Sequence, residues 1–169
     1  MGNDLFLWRI GAFIKEANAG LGLKEIPWHQ DRNYWPIEPA IVCSAWLAVD
    51  DVDTENSAVH IIPKTHRELI PHIPASEGQA FLEQADPRFY DASKAIPMCL
   101  KAGEFFLFNE RLMHWSKPND SERRRFGMAI RVLPPQVRVL DYDCPEHGLV
   151  QLHGGDPLGF NKIVEPPVS

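Results

Sequence analysis

The sequence is poor in cysteine, in excess positive charge and in long apolar runs, and each shortage excludes a class of protein. Its three cysteines, Cys43, Cys99 and Cys144, are odd in number and widely spaced, so a disulfide framework is not expected. The net charge of −6 leaves no basic excess to neutralise nucleic acid or an anionic membrane surface. No apolar run approaches the length of a membrane span, and Met1–Ile10 lacks the pattern of a signal peptide. These features predict a cytoplasmic protein.

The chain is divided into short segments by 15 prolines and 11 glycines, and its 169 residues suit a single domain over 1–169. Short apolar or alternating segments predict strands, and many short strands with frequent turns are typical of a sandwich or barrel. One segment, Ser76–Gln84, is the best candidate for a helix, and Ala17–Leu23 is predicted to be a loop. The predicted strands are Leu5–Ile14, Glu25–Asp31, Ile41–Val49, Ala58–Ile62, Glu104–Asn109, Phe126–Leu133 and Val137–Leu140.

Two histidines and one aspartate form the most informative pattern. In an extended strand, residues i and i+2 face the same side, so His29 and Asp31 could reach one metal ion together. His114, from a distant strand, would complete a facial set of ligands. Two histidines and a carboxylate with open positions suit a non-heme Fe(II) oxygenase. A His-x-Asp pair alone is common on polar strand faces, so the metal interpretation depends on the segment around His114.

That segment, His114–Gly127, also contains groups suited to a dicarboxylate ligand. Ser116 offers a hydroxyl, and Arg125 offers paired N–H donors that match a carboxylate. Arg125 begins an apolar strand, and a buried arginine without an anion would be costly. The alternative is a solvated turn, which we favour for Arg123 and Arg124 but not for Arg125.

With these residues in place, the chain resembles the phytanoyl-CoA dioxygenase family of Fe(II)/2-oxoglutarate oxygenases. The resemblance covers most of the chain and implies a mainly β fold, a double-stranded β-helix or cupin-like jelly roll. It implies that His29, Asp31 and His114 bind iron. It also implies that Arg125 and Ser116 bind 2-oxoglutarate and that Trp46 lines that pocket. The matching stretches are Pro27–Pro36, Ala45–Asp51, Glu55–Asn56, Ile62–Pro63 with His66, and His114–Gly127.

The chain departs from the family pattern in two turns and at its front. Asn56-Ser57 and Lys64-Thr65 stand where the family usually has glycine in a turn, which affects loop geometry more than chemistry. Family members usually carry further helices and strands before the segment that begins here at Asp4. The chain is therefore expected to be N-terminally truncated or a minimal form, without the helices that buttress one sheet. An apolar sheet face would then be exposed.

Several aromatic residues lie beside the candidate ligands, and two roles are open for them. They could pack in the core, or they could wall a dry substrate pocket, as a reactive iron centre requires. These residues are Trp28, Tyr34, Trp35 and Trp115. Three further histidines, His60, His66 and His72, fit no common zinc spacing and are assigned to strands and turns.

The reaction that the resemblance implies is hydroxylation of a small molecule with Fe(II), 2-oxoglutarate and O2, releasing succinate and CO2. Two alternatives stay open. One is a jelly-roll binding module that keeps the ligands without turnover. The other is a cupin-like isomerase or hydrolase that uses a different divalent metal. No pattern in the sequence predicts the substrate or an oligomeric state.

Overall fold

A computed structural model describes residues 1–19, 24–140 and 148–166, and the chain is mainly β. Within those ranges, helix occurs only as short 3-10 turns, and none is long and apolar enough to cross a membrane. The thirteen strands of the described ranges are β1 (Leu5–Lys15), β2 (Ile26–His29), β3 (Ile37–Glu38), β4 (Cys43–Ala48), β5 (Val59–Ile61), β6 (His72–Pro74), β7 (Glu83–Ala85), β8 (Ile96–Met98), β9 (Phe105–Asn109), β10 (His114–Ser116), β11 (Arg125–Leu133), β12 (Arg138–Val139) and β13 (Val150–His153).

Two antiparallel sheets form the layers of the cupin-like jelly roll. The larger sheet has the order β13-β1-β11-β4-β9, and the smaller has the order β2-β10-β5-β8. Two further pairs, β3 with β12 and β6 with β7, extend the structure at its margins. The connections join strands that are distant in sequence, as in β1 with β11 and β2 with β10. This topology brings residues 5–29 against residues 114–133.

The core lies between the sheets because the strands alternate in burial. Strand β11 is the clearest case, since every second residue from Arg125 to Leu133 is buried. One apolar cluster gathers around Phe6, Trp35 and Leu133, and a second gathers around Trp46 and Phe108. Two of the inward positions on β11 are Arg125 and Arg131, so the space between the sheets contains charged groups as well as apolar side chains.

The outer face of the larger sheet is apolar as well. Neighbouring outward side chains continue across the strands, for example Ile10 beside Ile130 on β1 and β11, and Leu47 beside Phe105 on β4 and β9. Phe105 is 58% exposed and Leu107 is 62% exposed. We call this surface the outer apolar face.

The structure confirms most of the predicted strands and corrects two segments. Ser76–Gln84 is not a helix, because it turns at Gly78 (φ +89°) and its end enters β7, which pairs with β6. The predicted strand Glu25–Asp31 ends at His29, and Asp31 opens a 3-10 turn, Asp31–Tyr34. Cys43 and Cys99 are free thiols, as expected. Cys144 and part of the predicted loop Ala17–Leu23 lie outside the described residues.

Candidate active site

The two candidate histidine ligands face each other across neighbouring strands. His29 ends β2 and pairs in register with His114, the first residue of β10, and their ring centroids are 4.0 Å apart. Asp31 follows in the 3-10 turn, and its Oδ1 lies 3.5 Å from Nε2 of His29 and 3.9 Å from Nε2 of His114. One ligand atom from each of the three residues lies within 4.8 Å of the others. The three candidate ligands therefore converge, but Asp31 reaches the histidines from a 3-10 turn and not from a continuous strand as the sequence predicts.

Backbone carbonyls fix the orientation of both imidazoles. Nδ1 of His29 lies 2.8 Å from the carbonyl oxygen of Pro27, and Nδ1 of His114 lies 2.9 Å from that of Leu112. Each Nδ1–H donates to that carbonyl, which leaves the Nε2 lone pair directed at the other candidate ligands. Burial lowers the pKa of His114 to about 4, so its imidazole is neutral at pH 7.

Asp31 is a buried carboxylate that stays ionised. Burial alone would raise its pKa, but the close contact with His29 and the nearby positive charge of Arg131 lower the pKa of Asp31 to about 2. Its Oδ2 has no hydrogen-bond partner among the described residues. A charged oxygen without a donor, beside two imidazole nitrogens that offer lone pairs, is a set of groups that a divalent cation would satisfy.

Arg125 lies deeper in the same cavity and is fully buried. Its guanidinium donates at 3.3 Å to the carbonyl oxygen of Phe13 and at 3.4 Å to Oγ of Ser116, and its Nε has no partner in the described part of the chain. Within those residues, no carboxylate forms an ion pair with it. Burial lowers the pKa of Arg125 to about 10, which still leaves it charged at pH 7. A buried cation without an anion fits a binding site for a carboxylate ligand.

Lys15 is a second buried basic residue, to which the sequence assigns no role. It ends β1, pairs in register with Arg125, and is fully buried. Its Nζ donates to Oγ of Ser116 at 2.8 Å and also to the carbonyl oxygen of Lys117. Burial, reinforced by the charge of Arg125, lowers the pKa of Lys15 to about 6. Ser116 thus links two basic side chains at one end of the cavity, and of these Arg125 is charged at pH 7.

Trp46 lies on the wall of this cavity. Its indole ring is 5.5 Å from Cζ of Arg125. The ring packs directly on β11 because Gly127 has no side chain, and a Cβ built at that position would overlap the indole. The rest of the wall is mostly apolar and comes from both sheets, including Phe13, Val59 and Phe108.

The four aromatic residues predicted for a substrate pocket do not line a single cavity. Trp115 lines the cavity of the candidate ligands, whereas Trp28 stacks on Trp115 with ring centroids 5.7 Å apart. Tyr34 and Trp35 line a separate hollow that reaches Asp31 from the other side. We call it the Trp35 hollow, and its remaining lining residues are Ala80, Phe81, Leu82 and Arg131.

Phe81 and Arg131 are further residues that the sequence reasoning missed. Phe81 belongs to the segment predicted as a helix, and its ring lies 4.8 Å from that of His29. Arg131 lies at an inward position of β11, and one of its terminal nitrogens is 3.7 Å from Oδ2 of Asp31. The signal for Arg131 was present, because it is spaced by an even number of residues from Arg125 on one alternating strand.

The fold and this cluster of side chains define a jelly-roll protein with two histidines and a carboxylate gathered in a buried cavity. Residues 3–127 match the model of the phytanoyl-CoA dioxygenase family, PhyH, and the chain belongs to this family. A probable phytanoyl-CoA dioxygenase of Caenorhabditis elegans is 33% identical over 107 residues, which cover 61% of this chain and 34% of that protein. Across three such curated relatives, the chain covers between 34% and 41% of their length.

Solved structures agree with the fold. A non-heme monooxygenase, ThoJ in its apo form, superimposes with a TM-score of 0.80 at 24% identity, covering 98% of this chain and 59% of that one. The structure of CytC3 with Fe(II) and alpha-ketoglutarate has a TM-score of 0.65 at 24% identity, covering 97% of this chain and 62% of that one.

Proposed function

We propose that this chain forms the catalytic jelly roll of an Fe(II)/2-oxoglutarate-dependent dioxygenase that hydroxylates a small molecule. The observation that carries the proposal is the meeting of three candidate ligands and an unpaired buried arginine in one cavity. Membership of the phytanoyl-CoA dioxygenase family and the likeness to a structure that holds Fe(II) and alpha-ketoglutarate support it.

His29, Asp31 and His114 would hold the iron. Their contributions are complementary, because the two imidazoles supply Nε2 lone pairs and one carboxylate supplies negative charge. The carbonyls of Pro27 and Leu112 keep both rings turned toward the ion. When they are bound together, Fe(II), 2-oxoglutarate and O2 supply the oxidising chemistry that hydroxylates a carbon and releases succinate and CO2.

Arg125 would bind the distal carboxylate of 2-oxoglutarate, assisted by Ser116 and Lys15. A guanidinium with an unused Nε–H can form a charge-assisted pair with a carboxylate, and Ser116 presents a hydroxyl beside it. Trp46 closes that end of the cavity. The apolar wall excludes water, which strengthens each of these electrostatic contacts.

The test is metal and cosubstrate binding by the intact chain and its ligand variants. Anaerobic addition of Fe(II) and 2-oxoglutarate to the unsubstituted protein is expected to give a weak visible charge-transfer band. His29→Ala and Asp31→Ala are expected to abolish the band and to weaken iron binding. His153→Ala removes an exposed histidine and should change neither measurement.

Oxygen-dependent formation of succinate then separates an active oxygenase from an inactive binding module. A metal-dependent hydrolase would bind a divalent ion without showing the band or forming succinate. Iron binding that is unchanged in both ligand variants would remove the assignment of His29 and Asp31.

A further inference from the structure

Arg131 is a cation placed between the candidate iron site and the Trp35 hollow. It lines both the cavity of the candidate ligands and the hollow, and it is 91% buried, since 9% of its surface is exposed. Its guanidinium lies over the ring of Trp35, with Cζ 5.0 Å from the ring centroid. A guanidinium that stacks by its face keeps its edge N–H groups available for an anion.

The N–H groups of Arg131 form few and long hydrogen bonds within the described structure. The Nε is buried and has no hydrogen-bond partner. Its Nη1 lies 3.5 Å from the carbonyl oxygen of Ala129, and its Nη2 lies 3.7 Å from Oδ2 of Asp31. A guanidinium whose task was only to orient Asp31 would be expected at about 2.7–2.9 Å from it. The observed distances leave donors on Arg131 and an acceptor on Asp31 unsatisfied.

The charges of the loaded site leave this arginine without compensation. The two positive charges of a ferrous ion cancel the two negative charges of 2-oxoglutarate. Asp31 carries one negative charge, whereas Arg125 and Arg131 carry one positive charge each. The buried site therefore keeps a net positive charge, and protonated Lys15 would add to it. A further anion beside Arg131 would lower the electrostatic cost of the assembled site.

The Trp35 hollow determines what kind of anion fits. Apart from Asp31 and Arg131, its lining is aromatic or aliphatic, from Tyr34, Phe81 and Leu82 among others. The hydroxyl of Tyr34 already donates to the carbonyl oxygen of Glu83, so the ring rather than the hydroxyl faces a ligand. An apolar body with one anionic group is the chemistry that such a lining recognises.

We propose that Arg131 binds the carboxylate of the substrate, and that the substrate is an aromatic or otherwise apolar carboxylic acid whose body lies in the Trp35 hollow. This inference rests on the proposed function and names the substrate class of the same site. Phe81, which lies in both cavities and against His29, would separate the apolar body from the iron ligands.

The experiment measures binding to the anaerobic protein loaded with Fe(II) and saturating 2-oxoglutarate, so that the Arg125 pocket is already filled. The probes are phenylacetate, 3-phenylpropanoate and 4-phenylbutanoate, each compared with its uncharged amide. Binding is followed by calorimetry and by tryptophan fluorescence. At least one acid is expected to bind tenfold or more tightly than its amide. Arg131→Gln is expected to abolish that preference, and the charge-transfer band recorded on the same sample reports whether Fe(II) and 2-oxoglutarate are still bound.

Three further variants make the result specific. Arg124→Gln removes a surface arginine paired with Asp50 and should leave the preference intact. Phe81→Ala should weaken acid and amide alike, because it removes apolar contact and no charge. Arg131→Lys keeps the charge and should retain part of the preference, which also covers the case in which Arg131→Gln does not fold.

Equal binding of every acid and its amide by the unsubstituted protein would overturn the assignment, as would an acid preference that survives in Arg131→Gln. Loss of all preference in a folded Arg131→Lys variant would also count against it. In each of these cases, a normal band with Fe(II) and 2-oxoglutarate would leave the proposed oxygenase function standing. Absence of the band in the unsubstituted protein would instead remove the function itself.

Discussion

Arg124 and Arg125 are adjacent in the chain but lie in opposite environments. Arg124 is a surface residue whose guanidinium donates to both oxygens of Asp50 at 2.8 Å. Arg125 is fully buried and has no carboxylate partner among the described residues. The contrast follows from strand alternation, because consecutive residues entering β11 face opposite sides of the sheet.

This pair provides a matched test of cosubstrate binding. Arg125→Ala is expected to raise the 2-oxoglutarate concentration needed for half-saturation by an order of magnitude or more, because a charge-assisted bidentate contact is lost. Arg124→Ala should leave it unchanged. The measurement is a titration of the anaerobic Fe(II) protein with 2-oxoglutarate. An unchanged requirement in Arg125→Ala would assign that arginine to packing.

Lys15 gives the site an expected dependence on pH. Its pKa is lowered to about 6, so it is mostly neutral in the empty folded protein above that pH. A bound dianion favours the charged form and raises this pKa, so binding above pH 6 takes up a proton. Affinity for 2-oxoglutarate should therefore be flat below about pH 6 and fall as the pH rises further.

Calorimetry at pH 8 in two buffers with different heats of ionisation measures this proton uptake directly. Lys15→Met should bind 2-oxoglutarate with little uptake and with a flatter pH profile. Equal uptake by Lys15→Met and the unsubstituted protein would show that another group takes the proton.

The chemical types of the candidate ligands could be predicted from the sequence, but the position of Lys15 could not. Histidine, aspartate and arginine indicate metal and carboxylate binding wherever the chain places them. Lys15 depends on which way β1 faces. Phe6 and Trp8 point inward, but a register shift between Leu7 and Arg9 changes the phase, so that Ile10 points outward and Lys15 inward. Counting from Trp8 in steps of two would place Lys15 outside.

At the scale of elements, the indole of Trp46 on β4 can lie over the neighbouring strand β11 because Gly127 has no side chain. Gly127→Ala should destabilise the fold by about 1–3 kcal/mol, since an added methyl group must displace a buried ring. Gly155→Ala is the matched control, because a Cβ there meets nothing within 4 Å. Chemical denaturation of both variants measures the difference. Equal stability of the two would show that Trp46 moves without cost.

The two segments whose predicted structure is wrong are those whose conformation depends on contacts with distant parts of the chain. Ser76–Gln84 contains residues that are common in helices, yet pairing of β6 with β7 and the turn at Gly78 determine its structure. Asp31 was expected on a strand, but the chain turns after His29 and the backbone N–H of Arg32 bonds to the carbonyl of Glu110. Local patterns contain no information on either contact.

At the scale of the whole molecule, the outer apolar face predicts self-association of this chain at high concentration. Replacing Phe105 with glutamate and Leu107 with lysine should reduce association and the binding of an apolar dye, because both side chains are more than half exposed. Leu69→Lys changes an exposed leucine away from this sheet and serves as the control. Sedimentation of the three proteins at several concentrations measures the effect. A monodisperse unsubstituted chain at every concentration would contradict the prediction.

The overall architecture was predictable in two stages. Frequent prolines and short alternating segments indicated a sandwich or barrel, and the outward and inward periodicity of β11 appears in the structure as expected. The jelly roll itself required the family resemblance, because the pairings of β1 with β11 and β2 with β10 join distant parts of the chain. The assignment of residues 1–169 to one domain stays a prediction.

Under the proposed function, the position of the two facing imidazoles would also give iron a structural role. Strand β2 lies at the border of the smaller sheet, and its neighbour β10 holds it through a short run of paired residues that includes His29 and His114. An ion bound by both rings would cross-link two strands that are distant in the sequence, and its removal would weaken their association. If iron binds as proposed, its loss would loosen this edge of the smaller sheet.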